Sequence, residues 1–352
     1  MSCFTGVSGS GREASRVTRE IDRSIIQQRD LIENTFKMVV LGLKGAGVST
    51  IVRQTKVVFL SGFTSEERAQ FSRCIQEYTV YTMNKLLDVS QSEKVEISDS
   101  AKTFALQALS ARDELLSSDK CFNEQFVESF SSLWKECSIR STQRVLKCAL
   151  ITEGSFEGSM AYFLENYQRI CSRDYSPTEQ DILQLPHRQS FTTTQFLLNR
   201  REWRITNSSI HLESKSHKWL QLFDGVDTLT FVVALDSFDE FEDGQNKLHQ
   251  ALDMIEFVTN QQQFRHHTVA VLLNKRDLFQ SKLRQIHFSV CFPLYQGDNS
   301  YTNCLEHLIE KLYLRDKTPG NLYVHATCAV DTTNIRNTFD EIFKYCFPVI
   351  VG

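Results

Sequence analysis

The sequence predicts an α/β fold with a mostly parallel sheet and an inserted all-α block. Apolar runs of strand length alternate with helical segments over 36–62 and 183–352. Residues 63–182 instead carry long helical patterns and no convincing strand. A glycine-rich loop follows the first strand and opens into a helix, as in α/β proteins that bind phosphates. Uninterrupted apolar strands between helices need a sheet covered on both faces, which is typical of parallel sheets.

Composition excludes several classes of function. The 352 residues are 41% hydrophobic, enough for a large core, and a net charge of −4 gives no basic excess for nucleic acid. The longest apolar runs, such as 231–235 and 269–273, are too short to span a membrane. The N-terminus has no apolar segment of the kind that directs secretion. The ten cysteines form no C-x-x-C pair, so we interpret them as reduced thiols of a cytosolic protein.

The elements are predicted in chain order. Residues 1–35 form an N-terminal part with an amphipathic helix at 13–33, because apolar residues recur there at helical spacing; these are Ala14, Val17, Ile21, Ile25 and Ile32. A buried strand at 37–41 and a helix at 49–56 flank the glycine loop. Helices of the inserted block are predicted over 66–88, 101–117, 123–136 and 158–171. Later strands at 228–235, 268–273 and 321–326 precede helices near 243–260, 302–313 and 334–346.

The glycine loop, GLKGAGVST at 42–50, has the spacing of a phosphate loop, G-x-x-x-x-G-K-[ST], but Val48 occupies the lysine position. Backbone N–H groups of residues 44–49 and the N-terminus of the following helix can still hold phosphates. The predicted nucleotide contacts of the loop are Gly42, Lys44, Gly45, Ala46, Gly47, Ser49 and Thr50. Lys44 either returns part of the lost positive charge or blocks the γ-phosphate.

Two further segments follow later strands, where ligands of open α/β sheets bind. The first is an N-K-x-D motif made by Asn274, Lys275 and Asp277. A carboxylate at 277 can accept two hydrogen bonds from guanine that adenine cannot supply, while Lys275 covers the purine face and Asn274 ties this loop to the phosphate loop. The second is Thr327-Cys328-Ala329, whose backbone N–H groups could bind the guanine O6.

With these motifs the sequence resembles the α subunits of heterotrimeric guanine-nucleotide-binding proteins, along nearly the whole chain. Further similar segments are TREIDRSIIQQRD (18–30), AYFLENYQRI (161–170), SPTEQDIL (176–183), VALDSFDEF (233–241), LLNKRDLF (272–279) and TCAVDTTNIRNTFDEIF (327–343). Lys218-Trp219 and 222–227 resemble the helix after switch II. The resemblance implies a P-loop GTPase (Ras-like) domain at 36–62 and 183–352, with an inserted helical domain at 63–182.

The resemblance also implies ligands and partners. The family binds GDP with the βγ dimer and GTP without it, and Ser49 would be the ligand of a weakened Mg²⁺ site. The N-terminal helix would contact βγ. A seven-transmembrane receptor would act upstream, an unidentified effector downstream, and the protein would lie at the cytoplasmic face of the plasma membrane and in the cytoplasm.

Switch I departs from the family pattern. An ungapped alignment from SPTEQDIL puts Pro186 at the catalytic arginine and Gln189 at the Mg²⁺-binding threonine. A slip of two or three residues would offer Arg188 with Thr192 or Thr193 instead. We favour the ungapped alignment, because it also matches Lys218-Trp219.

Switch II departs further. The D-x-G-G-Q pattern would fall near 208–212, which reads SSIHL, so Leu212 stands where the glutamine would be. His211 is a weak alternative base, since a histidine in a polar loop is usually just solvated. No catalytic residue is therefore predicted, and GTP hydrolysis is expected to be weak or absent.

The two ends also differ from the family. Ser2 cannot be myristoylated, so Cys3 is either a palmitoylation site or an unmodified cysteine. The C-terminal tail is shorter than in the family and contains Pro348, which puts receptor coupling in doubt.

Two functional hypotheses remain, with a third rejected. The chain is a divergent guanine-nucleotide switch that relays a receptor signal, or an interaction protein that holds βγ or another partner without a GTPase cycle. A metabolic P-loop kinase would need the missing lysine and arginine lids.

Overall fold

The computed structural model describes residues 35–92, 157–186, 193–198, 201–209, 225–264, 267–316 and 322–346. The N-terminal helix at 13–33 and the helices at 101–117 and 123–136 lie outside this part of the chain, as do Cys3, His211 and Leu212. Those predictions therefore stay predictions.

A six-stranded sheet in the order β2-β3-β1-β4-β7-β8 forms the larger body. The strands, in chain order, are β1 (Thr35–Gly42), β2 (Thr193–Leu198), β3 (Arg201–Ser209), β4 (Thr228–Ala234), β5 (Phe241–Glu242), β6 (Gln245–Asn246), β7 (Thr268–Asn274) and β8 (Leu322–Ala326). Of these, β5 and β6 form a separate two-stranded hairpin. Only the edge pair β2–β3 of the six-stranded sheet is antiparallel. The predicted mostly parallel α/β sheet is confirmed.

The described ranges contain the helices α1 (Val48–Phe59), α2 (Ser65–Ser92), α3 (Glu157–Glu165), α4 (Tyr167–Ile170), α5 (Glu179–Gln184), α6 (Lys247–Thr259), α7 (Arg276–Lys282), α8 (Tyr301–Arg315) and α9 (Thr332–Cys346). Four of them cover the sheet, α1 and α9 on one face and α6 and α8 on the other. Val39 and Leu41 of β1 point to the face under α6 and α8, whereas Met38 and Val40 point to the face under α1 and α9. This alternation explains why β1 is continuously apolar from Met38 to Leu41.

The helical block has its own core. Phe63, Ile75 and Phe163 pack with Ile170 and Ile182 in one buried cluster, and the part of 63–182 that the structure describes contains no strand. The chain then returns to the sheet through residues 177–186, which we call the return segment. It contains α5, whose N-cap Thr178 accepts a hydrogen bond from the Asp181 N–H.

The sequence patterns do not predict β2 and β3. Both strands lie at one edge of the sheet, and in β2 exposed Thr193, Gln195 and Leu197 alternate with inward-facing Thr194 and Phe196. Such half-polar strands lack the continuous apolar run that marks the central ones.

A correction concerns the helix predicted near 243–260. The structure starts it at Lys247, because Asp243 and Gly244, both with positive φ, form the tight turn of the β5–β6 hairpin. Asn246 then caps the helix, accepting hydrogen bonds from the N–H groups of Leu248 and His249. Within the described ranges, no helix has both the length and the apolar character to cross a membrane.

Candidate functional site

The glycine loop is a tight turn between β1 and α1. The Ala46 N–H donates to the Leu43 carbonyl at 3.0 Å, and Gly45 and Gly47 have φ of 84° and 99°. A Cβ on Gly47 would lie 2.2 Å from the Asn274 side-chain nitrogen. Glycine is therefore required at 47 both by the backbone conformation and by the close approach of Asn274.

The Val48 side chain does not occupy the place that the missing lysine would take next to a ligand. Its side chain is 6% exposed and belongs to the core cluster under α1. A Cβ added at Gly42 would lie 2.7 Å from the Val48 Cγ2, so the valine is turned inward beneath the loop. Lys44 is exposed. The loop thus keeps its backbone and the helix N-terminus, while position 48 contributes only to the core.

The return segment lies against the first turns of α1. The Thr50 hydroxyl donates to the Leu183 carbonyl at 3.3 Å, and buried Arg53 donates to the carbonyls of Ile182, at 2.9 Å, and Leu185. Burial lowers the pKa of Arg53 to about 10. Sequence analysis missed Arg53, although a cation on a helix face that also carries Ile51 and Val52 was a visible signal. These contacts place Pro186 next to the helix that begins at the phosphate loop.

Asn274 joins the three predicted segments. Its amide nitrogen donates to the Ala46 carbonyl at 2.8 Å, and its amide oxygen accepts from the Ala329 N–H at 2.8 Å. The side chain is buried, and the Gln54 amide donates to the Ala329 carbonyl at 2.8 Å. The predicted tie between the N-K-x-D loop and the phosphate loop is confirmed.

Asp277 faces the third segment. The Cys328 thiol donates to an oxygen of this exposed carboxylate at 3.4 Å. Burial, with Asp277 as the next cause, raises the pKa of Cys328 to about 11, so the thiol stays neutral at physiological pH. The carboxylate predicted to read a purine edge and the loop predicted to hold its O6 therefore share one edge of the sheet.

The backbone donors of that third loop are already engaged in this structure. The Cys328 N–H donates to the Asn334 side chain at 2.8 Å, and the Ala329 N–H donates to Asn274. The Thr327 N–H donates to the Leu273 carbonyl at 2.7 Å. Sequence analysis missed Asn334. A base that binds through its O6 here would have to exchange one of these hydrogen bonds.

Lys275 is held in a specific orientation. Its backbone is left-handed, with φ of 62°, and its ammonium lies 3.0 Å from an oxygen of Asp236. Asp236 lies two residues after the end of β4, the strand next to β7 in the sheet. Sequence analysis missed Asp236, although an acidic residue at the carboxyl end of a buried strand was a visible signal.

Serine and threonine side chains lie in the part of the sheet beside the phosphate loop. β3 pairs with β1 so that Ser208 and Ser209 stand opposite Leu41 and Gly42, where the family pattern would bring its aspartate. The alternative threonine of switch I, Thr193, lies in β2 with its hydroxyl 3.2 Å from that of Thr206. Arg188, Gln189 and Thr192 lie outside the described ranges.

The described residues supply only part of a Mg²⁺ site. Half-buried Ser49 offers one hydroxyl at the start of α1. The described ranges hold no group of three or more His, Cys, Asp or Glu side chains suited to a metal ion. A Mg²⁺ ion would fit there only with most of its ligands from phosphate and water, as is common for this ion.

The geometry brings together the glycine turn after β1, the exposed carboxylate of Asp277, and Asn274, whose hydrogen bonds join the three loops. A comparison with protein-family models matches residues 15–346 to the family described as G-protein alpha subunit, which has a Ras-like GTPase domain and a helical domain. This range includes all three segments of the site. The chain belongs to this family of guanine nucleotide-binding signal transducers.

Proposed function

We propose that this α subunit binds guanine nucleotide, GDP in particular, and hydrolyses GTP weakly or not at all. The observation that carries the proposal is the double hydrogen bond of Asn274, which joins the phosphate loop to the base-reading edge. In this site the loop amides hold the diphosphate and Asp277 accepts hydrogen bonds from the guanine N1 and N2 donors. The Lys275 stem covers the purine face.

The γ-phosphate side supports the second half of the proposal. Val48 is buried in the core, Pro186 has no donor, and β3 ends in Ser208 and Ser209 where an acidic residue would anchor Mg²⁺. A γ-phosphate would therefore meet no catalytic side chain among the described residues. Mg²⁺, when bound through Ser49, would neutralise charge on the phosphates.

The domain limits and partners of the proposal are those typical of the family. Residues 36–62 and 183–352 form the nucleotide domain, with 63–182 as the helical insert, and 1–35 contact the βγ dimer. Lipid on Cys3 holds the protein at the cytoplasmic face of the plasma membrane. Such a protein relays signals from a seven-transmembrane receptor; the alternative is that it holds βγ or another partner without a GTPase cycle.

Titration of the full chain with fluorescent GDP and a non-hydrolysable GTP analogue tests the proposal. We expect GDP to bind with micromolar or tighter affinity and the analogue to bind no more tightly. Binding of neither nucleotide would contradict the proposal, and much tighter binding of the analogue would favour a working switch.

Base choice gives a sharper test. Asp277→Asn replaces one acceptor oxygen by a donor. It should therefore shift the binding preference from guanosine diphosphate towards xanthosine diphosphate by about tenfold or more. Asp298→Asn, at an exposed carboxylate of the loop before α8, is the matched control and should leave the preference unchanged. Unaltered GDP affinity in Asp277→Asn would remove this carboxylate from the site.

A further inference from the structure

Asp236 has an incomplete set of hydrogen bonds for a buried carboxylate. It is 5% exposed, and one oxygen pairs with the Lys275 ammonium at 3.0 Å. The other oxygen is buried without a hydrogen-bond partner among the described residues. Burying a charge with an unsatisfied oxygen is unfavourable, so stability alone does not explain an aspartate here.

A second lysine, Lys282, fixes the backbone around Asp236. The Lys282 ammonium donates to the Asp236 carbonyl at 2.7 Å and to the Asp239 carboxylate at 2.8 Å. Lys282 also lies 3.5 Å from Glu240, which in turn pairs with Lys247 at 3.1 Å. The short 3₁₀ turn Leu235–Asp239 is thus anchored to α7 and α6, and the Asp236 side chain has a defined direction.

Lys275 needs such an anchor. A left-handed backbone is unfavourable for a lysine, and it persists only where surrounding contacts fix it. The neighbouring Arg276 N–H donates to the Thr327 carbonyl at 3.2 Å, which fixes the backbone after Lys275. The ion pair with Asp236 fixes the end of the side chain, so the apolar stem spans the gap between the ends of β4 and β7.

We propose that Asp236 is a positioning residue that holds the Lys275 stem in place for a guanine base before the nucleotide arrives. This inference rests on the proposed nucleotide binding and adds a residue to that site. A lysine stem has several rotatable bonds, and fixing it in advance removes an entropic penalty from binding. Asp236 itself touches no base, so it raises affinity without choosing between purines.

Titration of the full chain with GDP and inosine diphosphate tests this role. Asp236→Asn should weaken GDP binding about tenfold, as expected for a lost hydrogen bond to a charged group. The loss should be equal for inosine diphosphate, which lacks the guanine N2 amine. Asp243→Asn is the control, because Asp243 is an exposed carboxylate in the nearby β5–β6 turn and asparagine tolerates its positive φ; its GDP affinity should equal that of wild type.

A double-mutant cycle separates positioning from a general structural role. Lys275→Met keeps an apolar stem but removes the ammonium, so adding Asp236→Asn to it should cause no further loss. A structural role would produce the same loss in both backgrounds. If Asp236→Asn does not fold, Asp236→Ser takes its place in the cycle.

The outcomes distinguish this inference from the proposed function. The positioning role alone is overturned if the wild type binds GDP and Asp236→Asn binds it equally well. It is also overturned if Asp236→Asn causes the same loss of GDP affinity in the Lys275→Met background as in the wild type. A wild-type chain that binds neither GDP nor a GTP analogue overturns the proposed function, and the positioning role with it.

Discussion

At the scale of single residues, the sequence shows that the phosphate-loop lysine is missing, but it does not predict the direction of the Val48 side chain that replaces it. The spacing around Gly42 and Gly47 predicts the turn, and the structure confirms it. The inward direction of Val48 depends on space beneath the loop, next to Gly42 and Val232, which comes from tertiary packing. Asn334 and Asp236 were missed for the same reason, because their roles arise only when distant loops meet.

Position 48 gives the first prediction at this scale. Val48→Lys should tighten GDP binding about tenfold, because an ammonium next to the phosphates adds a charged hydrogen bond. It should also lower the free energy of unfolding without nucleotide by about 1–2 kcal/mol, since two buried methyl groups leave the core. Fluorescent GDP titration and urea unfolding measure the two effects.

Val48→Ala is the control for that experiment. It removes the same methyl groups without adding charge, so it should lose stability by a similar amount and leave GDP affinity unchanged. If Val48→Lys binds GDP no better than Val48→Ala, then Lys44 or the altered switch segments distort the phosphate loop.

At the scale of elements, prediction succeeded for strands buried on both faces and failed for β2 and β3, at one side of the sheet. The central strands β1, β4 and β7 contain continuous apolar runs and match the predicted limits within two residues. The edge strand β2 and its neighbour β3 alternate buried and more exposed side chains, so neither contains such a run. The hairpin β5–β6 contains only two residues per strand, too few for any periodic pattern.

The return segment gives the prediction at this scale. Asp181 is fully buried and accepts hydrogen bonds from Arg169 at 2.7 Å, Tyr162 at 2.6 Å and Tyr175 at 3.0 Å. Burial alone would raise the pKa of Asp181, but hydrogen bonds from Arg169, Tyr162 and Thr178 hold it well below its usual range. The stability that this depressed pKa contributes is present above about pH 4 and is lost as the pH falls towards the folded-state value.

Asp181→Asn should therefore lower the free energy of unfolding at pH 7 by about 2–3 kcal/mol and flatten its decline below about pH 4. Urea unfolding at a series of pH values measures both effects. Asp174→Asn, at an exposed carboxylate near α5, should change neither the value at pH 7 nor the acid decline. A mutant at 181 with the full acid decline of wild type would show that other carboxylates dominate it.

At the scale of the whole molecule, one topological rule made the site predictable. Carboxyl ends of parallel strands meet at one edge, so motifs after β1, β7 and β8 had to converge, although the first lies more than 200 residues from the other two. Which donors stay free within that edge was not predictable, because Ala329 and Cys328 find their partners only through loop geometry. The family match and the convergence of these motifs agree on a guanine nucleotide site.

The last prediction concerns how the whole molecule responds to the γ-phosphate. At equal concentrations, GDP and a non-hydrolysable GTP analogue should raise the free energy of unfolding by the same amount, about 2.7 kcal/mol at a hundredfold excess over the Kd of GDP. The reason is that Val48, Pro186 and Ser208 offer a γ-phosphate neither a cation nor a metal-binding carboxylate, so the two Kd values should be similar. Thermal unfolding with each nucleotide measures this, with Asp277→Asn as the control that should reduce both effects. Single-turnover hydrolysis of GTP should not exceed the rate in buffer, because in this family the arginine alone contributes about 10³–10⁵-fold. Hydrolysis clearly above that rate, or a larger stabilisation by the GTP analogue, would show that residues outside the described ranges restore the switch.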